Sequence, residues 1–170
     1  MSRLIGADRL ISKLKRLSSQ RQTEIIAKAV HNAAKNVVQA DAKLRAPADN
    51  GDLRAGIKVR MSKSGNPRAE VVSTSDYGGF VEFGTGPKGA ANHAGISPNV
   101  NVSYRSTHWY VHESQIDVGP YRFQKIGEFY KMFGQVAQPY LYPALKDNEE
   151  RVTKNINRFV KRKLIEEVSK

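Results

Sequence analysis

One long periodic segment constrains the fold more than any other feature of this sequence. Residues 23–46 place apolar side chains in alternating steps of four and three, the spacing of one face of an α-helix. The members of this face are Ile26, Val30, Ala33, Val37, Ala40 and Leu44. Pro47 follows directly and predicts the end of the helix. Because two members of the face are alanines, the pattern favours close packing on a sheet of the same domain over a coiled coil.

Two further amphipathic helices are predicted toward the ends of the chain. The first covers residues 7–18, with Arg9, Lys13 and Arg16 opposite its apolar face of Leu10, Ile11, Leu14 and Leu17. The second lies within residues 138–170, and its acidic residues precede its basic ones, the order that a helix dipole prefers. Its apolar face consists of Leu145, Val152, Ile156, Phe159, Val160 and Leu164.

Between these helices the sequence has the period of a β-strand. Residues 57–62 alternate apolar and polar side chains, and after a turn residues 68–74 predict the returning partner of an antiparallel hairpin. Residues 77–83 predict a third strand, in which Gly78 and Gly79 permit a bend. The predicted fold class is therefore α+β, with long N-terminal and C-terminal amphipathic helices packed on a small antiparallel sheet.

The chain of 170 residues is long enough for a single domain with one core, and we predict one domain over 1–170. Its helical N-terminal part is 7–46, its antiparallel strands lie within 53–85, and its C-terminal helix lies within 138–170. Residues 86–137, here called the insertion, lose clear periodicity and are rich in Gly, Pro, Asn and aromatic residues. We predict that the insertion is loop-rich, and that it is functional or ordered by a partner.

Charge and composition limit the possible functions. The net charge is +12, and residues 1–46 contain ten Lys and Arg against three acidic residues. Such a surplus attracts nucleic acid or an acidic protein surface, although a solvated basic helix face is the simpler alternative. The absence of cysteine excludes disulfides, thiolate metal sites and a cysteine nucleophile. Without an apolar run of membrane-spanning length or a signal-peptide pattern, we expect a protein made and kept in a cytoplasm, without a membrane partner.

A G-x-G-x-x-G motif at residues 84–89 superficially resembles a dinucleotide-binding turn. That turn leads from a strand into a helix, and an acidic residue about 20 positions later binds the ribose. Here Gly95 and Pro98 predict that no helix follows the glycines. No carboxylate lies between Gly89 and Glu113, where the ribose-binding residue would be expected. We therefore interpret the motif as a glycine-rich turn that ends a strand.

The remaining candidate sites are weak. His108 and His112 are four residues apart with Glu113 adjacent, but the order differs from the zincin motif and the surrounding residues favour a strand. We predict no catalytic, metal-binding or cofactor-binding residues, no cofactor and no enzyme activity. The aromatic residues of the insertion could stack on bases or anchor a protein interface, and both alternatives stay open. They are Trp109, Tyr110, Tyr121, Phe123, Phe129, Tyr130 and Phe133.

Three short motifs in order along the chain resemble a known family. APADNGDLRAGI at 46–57 follows a long helix, YGGFVEFGTG at 77–86 follows the hairpin, and QPYLYPAL at 138–145 opens the last helix. Together they are similar to the neck and tail-completion proteins of tailed bacteriophages named after gene product ten of phage Hong Kong 97. The third motif has Tyr140 where that family usually has Phe. The roughly fifty residues between the second and third motifs exceed the spacing expected of a minimal member.

The resemblance implies a non-enzymatic virion protein of the neck or tail, assembled in the cytoplasm of the bacterial host. It implies copies of the chain in a hexameric or dodecameric ring, in contact with adjacent neck, portal-adaptor or tail proteins. Genomic DNA would pass through the ring and be contacted non-specifically.

We hypothesise that the chain leaves its sheet at a glycine-lined exit and reaches a neighbouring subunit, since glycine adopts backbone angles that other residues resist. The predicted subunit interface consists of Tyr77, Phe80, Glu82, Phe83, Gly84, Thr85, Gly86, Trp109, Tyr110, Gln138, Pro139 and Tyr140. The alternative function is a basic nucleic-acid-binding protein. Its predicted DNA-proximal residues are Lys13, Arg16, Lys161, Arg162 and Lys163.

Overall fold

The computed structural model of the protein describes residues 18–48, 51–62, 66–119 and 122–168. Its helices and two small antiparallel sheets confirm the predicted α+β class. The helices are α1 (Ser19–Ala33), a π-helical segment (Ala34–Gln39), α2 (Ala40–Arg45), α3 (Asp52–Gly56), α4 (Gly78–Phe83), α5 (Gly86–Ala91), α6 (Leu141–Lys146) and α7 (Glu149–Val168), with a 3-10 turn at Glu113–Gln115. The strands are β1 (Ile57–Met61), β2 (Ala69–Ser73), β3 (Trp109–His112), β4 (Gln124–Ile126) and β5 (Phe129–Met132).

The chain forms two compact units. The first comprises the described parts of residues 1–44, 57–72 and 144–170, and the second those of 45–56 and 73–143. The predicted helix at 7–18, with its basic residues Lys13 and Arg16, lies outside the described residues except at its last position. No helix in the described part of the chain is long and apolar enough to cross a membrane.

In the first unit the long N-terminal helix is confirmed, but its buried face shifts halfway along. The Ser18 side chain accepts a hydrogen bond from the backbone N–H of Arg21 and so begins α1. From Ala34 to Gln39 the helix is π-helical, and each of its i→i+5 hydrogen bonds spans one residue more than the i→i+4 bond of an α-helix, which rotates the following residues about the helix axis. The predicted positions Ala40 and Leu44 were therefore wrong, and Leu44 is 78% exposed. The buried residues of the helix are Ile25, Ala29, Ala33, Ala34, Val37, Val38 and Ala42.

The C-terminal helix α7 packs on α1 to form the core of the first unit. Ile25 and Ala29 of α1 meet Val160 and Leu164 of α7, and two half-buried side chains of α7, Ile156 and Phe159, pack against this cluster. Leu145 does not share this face and is half exposed, which corrects its prediction. It lies on α6, and the turn between α6 and α7 breaks the helical period.

A buried amide connects the helices of the first unit. Asn148 lies just before α7, and its Nδ2 donates to Asp41 Oδ2 at 2.8 Å and to the carbonyl of Ala144 at 3.0 Å. Its Oδ1 accepts a hydrogen bond from Arg151 Nη1 at 2.8 Å. Because every polar atom of this buried side chain is paired, it specifies the packing of α2 and α7 without the cost of an unsatisfied group. No local pattern in the sequence marks this residue.

The predicted hairpin is confirmed as the antiparallel pair β1–β2. The backbone N–H of Ser62 donates to the carbonyl of Arg68 at 2.8 Å toward the turn. Ile57 at the start of β1 is buried, and its carbonyl accepts a hydrogen bond from Gln39 Nε2 at 2.7 Å. The π-helical segment is thereby joined to the sheet.

In the second unit, the predicted third strand is wrong, since residues 78–83 form the helix α4. The backbone N–H of Val81 donates to the carbonyl of Tyr77, and that of Gly84 to the carbonyl of Phe80. A six-residue apolar run has no decisive period, and here its backbone groups pair locally rather than with a neighbouring strand. The region of predicted strands also begins with a helix, α3, rather than with a strand.

The insertion has more regular structure than the predicted loop. A short helix, α5, begins at Gly86 within the glycine motif, which corrects the expectation that no helix would follow, and it ends at Ala91 before Gly95. The strands form a three-stranded antiparallel sheet in the order β3–β5–β4, with Trp109 opposite Met132 and Ile126 opposite Phe129. These strands have only three or four residues each, too few for their period to be recognised in sequence.

Candidate subunit-contact surface

A buried carboxylate joins the second and third sequence motifs. Glu82, on α4, is 3% exposed. One of its oxygens accepts the backbone N–H groups of Tyr140 at 2.7 Å and Leu141 at 2.9 Å, and the other accepts that of Tyr142 at 3.0 Å. These donors lie at the start of α6, where helical N–H groups have no partner within the helix and a negative charge is favoured. Glu82 therefore fixes the segment that leaves the insertion to the segment that enters it.

Backbone hydrogen bonds close the insertion at the same place. Thr85 and Gln135 form an antiparallel bridge, in which the N–H of Thr85 donates to the carbonyl of Gln135 at 2.9 Å. The N–H of Gln138 donates to the carbonyl of Val81 at 2.8 Å, and Gln135 Nε2 donates to the carbonyl of Phe80 at 2.8 Å. We call residues 78–86 and 133–142 together the insertion base.

Tyr140 and Gly78 form a second contact within the insertion base. Tyr140 is fully buried, and its hydroxyl donates to the carbonyl of Gly78 at 3.3 Å. Burial raises the pKa of the Tyr140 phenol. A Cβ atom on Gly78 would lie 2.9 Å from the Tyr140 oxygen, so the close approach of the two residues requires glycine. The tyrosine that departs from the family pattern thus has a hydrogen-bond partner in this chain.

Two glycines of the motif have positive φ angles, but they follow the helix α4 and not a strand, and the predicted exit toward a neighbouring subunit stays a prediction. Gly84 has φ +75° with ψ 175°, and Gly86 has φ +58°. A Cβ atom on Gly84 would lie 2.7 Å from the backbone nitrogen of Ala137, on the opposite side of the insertion base. Both glycines allow the two ends of the insertion to approach within hydrogen-bond distance.

A groove of about 700 Å³ lies beside these glycines, within the second unit. Four aromatic residues contribute to its walls, namely Phe80, Phe83, Tyr104 and Trp109. Phe80 is 59% exposed, although it is a large apolar side chain. Arg105 is the cationic residue of the lining, and its guanidinium carbon lies 5.6 Å from the centre of the Trp109 ring.

One face of the three-stranded sheet exposes a row of aromatic side chains. The register and the alternation of strand side chains place Tyr110 and Ile126 on the same face as Phe129 and Phe133. All four are exposed large apolar residues, and Tyr110 is 50% exposed. His108 contacts Tyr110 and Phe133 on this face. Exposed apolar residues grouped in this way are typical of a protein-interaction surface.

The structure separates the predicted interface residues into two groups. The first group is accessible. The residues that line the groove are Phe80, Phe83, Gly84, Thr85, Gly86 and Trp109. Tyr77 and Tyr110 are exposed to solvent. Glu82 and Tyr140 are buried in contacts of their own chain, so their predicted place on a subunit interface is corrected to a role inside the subunit. Gln138 binds within the insertion base, and Pro139 lies near Gly95.

His112 is the last residue of β3, the strand that the sequence favoured, and His108 immediately precedes that strand. His112 Nε2 is 3.6 Å from Glu128 Oε2, and its ring contacts Phe129 edge to face. Within residues 18–48, 51–62, 66–119 and 122–168, no group of three or more His, Cys, Asp or Glu side chains is arranged to hold a metal ion.

Of the predicted DNA-proximal residues, Lys161, Arg162 and Lys163 lie on α7, and Lys13 and Arg16 lie outside the described residues. Lys163 forms an ion pair with Glu166, and Arg162 Nε is 3.8 Å from the same carboxylate. Such exposed pairs within one helix are weak and can be exchanged for phosphate contacts. The prediction for these residues stays a prediction.

An ion pair crosses the sheet of the insertion and gives a titration test. Lys125 Nζ donates to Glu113 Oε2, and this hydrogen bond together with the lysine charge holds the pKa of Glu113 below its ordinary value. The resulting stabilisation is present at neutral pH and is lost as the pH falls through that lowered pKa.

We expect Lys125→Gln to raise the pKa of Glu113 toward its ordinary value in a carboxyl titration followed by NMR. Lys131→Gln, which removes a cation beside Phe133 instead, is the control and should leave Glu113 unchanged; equal titration of Glu113 in wild type and Lys125→Gln would refute the pairing.

Comparison with known proteins supports the family resemblance. A family model described as “HK97-gp10_like: Bacteriophage HK97-gp10, putative tail-component” matches residues 8–84. The match covers the first two motifs up to Gly84 and ends where the insertion begins. No curated protein and no solved structure matches the chain significantly.

Proposed function

From the match of residues 8–84 to the family model of HK97-gp10-like bacteriophage tail components, we propose that this chain is a virion protein that acts at the head-proximal end of the tail. In this proposal it is part of the neck, as a head-to-tail connector or a tail-completion ring. Copies of the chain surround the DNA channel in a hexamer or dodecamer and contact adjacent neck, portal-adaptor or tail proteins. The protein acts by complementary surfaces and not as an enzyme.

The exposed aromatic face of the insertion is the observation that carries the assembly part of this proposal. Tyr110, Ile126, Phe129 and Phe133 expose a third to a half of their surface on one small sheet. Strand β5 of this sheet runs directly into the insertion base, whose two segments are joined by the buried Glu82 contacts. A rigidly held apolar surface is preorganised for association, because little conformational freedom is lost when a partner binds. Head-to-tail contacts between such surfaces close into a ring when the rotation between subunits permits.

The net charge of +12 fits a ring around DNA without specific binding. Phosphate contacts by Lys and Arg are sequence-independent and weaken steeply with salt. A channel through which DNA must move requires such weak contacts rather than tight ones. Lys161 and Arg162 are exposed on α7 and are available for this contact.

A phage with a stop codon in place of Glu24 tests the proposed position in the virion. We expect negative-stain electron microscopy of the lysate to show DNA-filled heads beside unattached or wrongly terminated tails. Supplying the intact chain from a plasmid is the control and should restore joined particles. Joined, infectious particles from the stop-codon phage without the plasmid would contradict the proposal.

The alternative of a dedicated nucleic-acid-binding protein makes a different prediction. It requires tight, salt-sensitive binding to free DNA, which the triple variant Lys161→Gln, Arg162→Gln and Lys163→Gln should weaken. The proposed ring protein should lose detectable binding to free DNA near physiological salt. Binding that persists there, together with normal particles from the stop-codon phage, would favour the alternative.

A further inference from the structure

A segment of the insertion has the side-chain pattern of a strand but lacks a partner strand. Val102 and Tyr104 are half-buried, whereas Asn101, Ser103 and Arg105 are exposed, which is the period of two of a β-strand. Among the described residues, no backbone N–H or C=O of residues 101–107 takes part in a hydrogen bond. A segment whose backbone donors and acceptors are free is suited to pairing with another chain.

The outer edge of β3 offers the complementary groups. The N–H of Glu113 donates to the carbonyl of Glu128 directly opposite, so this position is a hydrogen-bonded pair of the antiparallel ladder. Such pairs alternate along the ladder, and Val111 is therefore the next residue to exchange hydrogen bonds with β5. The intervening residues, Tyr110 and His112, direct their N–H and C=O groups away from β5. The edge thus presents two donors and two acceptors.

The two outer edges of this sheet differ in their protection. β4, on the other side of β5, has three residues that are all exposed, and its central residue is Lys125. Short length and an exposed lysine are common means of preventing edge pairing. β3 has no lysine or proline in its sequence WYVH. The edge that remains open is therefore that of β3.

We propose that residues 101–107 of one copy of the chain add as a strand to the outer edge of β3 in a neighbouring copy. This inference rests on the proposed ring and identifies the contact that builds it. The same chain carries both halves, and residues 101–107 continue directly into β3, so they do not lie beside it in their own subunit. The segment that is added (residues 101–107) and the edge that receives it (β3) are different parts of the chain. The contact is therefore head to tail and can be repeated around a ring. Both halves lie in the insertion, beyond the residues that match the family model.

Cysteine cross-linking in assembled particles tests this contact, because the natural chain contains no cysteine. Each test protein combines Tyr110→Cys with one cysteine in the donor segment, at Asn101, Ser103 or Arg105, so that three registers are sampled. Neighbouring strands bring Cα atoms within the range that a disulfide spans. After mild oxidation we expect, for at least one pair, a ladder of dimers, trimers and larger covalent products on a denaturing gel. The single-cysteine variants are the controls and should stop at dimers.

Each other result overturns the inference in a recognisable way. A double variant whose products stop at dimers indicates a two-fold contact instead of a head-to-tail one. Particles that contain the protein but yield no product in any register show that these segments do not pair, while the proposed position in the virion is retained. Virions that lack the protein altogether would refute the proposed function, and this inference with it.

Proline substitutions give an independent test that does not depend on disulfide geometry. Successive N–H groups of a strand point to opposite edges, so Val102→Pro or Ser103→Pro must remove a donor from the intersubunit ladder. Neither proline removes a hydrogen bond within the subunit. We expect at least one of them to lower the yield of infectious particles tenfold or more, whereas Val102→Ala and Ser103→Ala have little effect. Wild-type yields from both proline variants, with unchanged Trp109 fluorescence, would overturn the proposal.

Discussion

Replacing Glu82 by alanine is expected to lower the free energy of unfolding by about 3 kcal/mol or more, because three backbone N–H groups lose their acceptor together. The N–H groups of Tyr140, Leu141 and Tyr142 all donate to this one carboxylate, which is nearly inaccessible to water. An unsatisfied buried donor costs about 1–3 kcal/mol, so three of them exceed the effect of an ordinary surface substitution several-fold. Glu82→Gln keeps one acceptor oxygen and should fall between alanine and wild type.

Chemical denaturation followed by tryptophan fluorescence measures this effect where it arises. Trp109 is the only tryptophan of the chain and lies on β3 of the insertion. The matched control is Glu128→Ala, which removes an exposed carboxylate from the same compact unit and should change the free energy of unfolding by less than about 0.5 kcal/mol. If Glu82→Ala unfolds at the same denaturant concentration as Glu128→Ala, the carboxylate does not hold the insertion base.

The structure also indicates which parts of the fold are encoded locally. The helix that begins at α1 and the hairpin β1–β2 were predictable because their periods repeat over enough residues to distinguish a helix from a strand. The π-helical segment was not predictable, because nothing in the composition of its six residues, AKNVVQ, distinguishes a π-helix from an α-helix. It moved the buried face away from Leu44 all the same. The existence of a long helix can therefore be predicted from its sequence, whereas the residues that face inward cannot.

The candidate site depends on contacts that no local pattern encodes. Glu82 is separated by 58 residues from its first partner, Tyr140, and its sequence neighbours suggested a strand. The family resemblance selected both residues but assigned them to a subunit interface, because a motif indicates that a residue matters without indicating what it touches. The glycine positions were the exception. A positive φ is a property of a single residue, so the backbone conformation of Gly84 could be inferred before its partners were known.

Gly84→Val is expected to prevent assembly while leaving the helices of the protein intact. The φ and ψ angles of Gly84, +75° and 175°, fall in a region that is essentially restricted to glycine, and a side chain there costs about 1–3 kcal/mol. A Cβ atom would in addition lie 2.7 Å from the nitrogen of Ala137 and 2.9 Å from the carbonyl oxygen of Gln135. Both atoms belong to the backbone, so the clash can be relieved only by moving the two segments of the insertion base apart. Overpacking of this kind costs about another 1–3 kcal/mol.

Two other glycines separate these contributions when all three are changed to alanine. Gly79 has no atom within 4 Å of its ideal Cβ position and a negative φ, so Gly79→Ala should leave stability unchanged or raise it through helix propensity. Gly127 has φ +60° but open space around it, so Gly127→Ala reports the backbone strain alone, about 1–2 kcal/mol. Gly84→Ala should exceed both, at about 3 kcal/mol or more. Equal losses for Gly84→Ala and Gly127→Ala would mean that the approach of Ala137 and Gln135 is unimportant.

The assembly result then follows from the position of Gly84 between the family-matched residues and the insertion. If the insertion carries the subunit contact, opening its base displaces the aromatic face and the β3 edge without unfolding α1 and α7, which pack on each other. We therefore expect Gly84→Val to keep its far-ultraviolet circular dichroism, to change its Trp109 fluorescence, and to lower the yield of infectious particles to about that of the stop codon at Glu24. Gly79→Ala should give wild-type particles. A Gly84→Val protein whose Trp109 fluorescence shows an open insertion base could still give normal particles. That result would show that the insertion is not required for assembly and that the subunit contact lies on another surface of the chain.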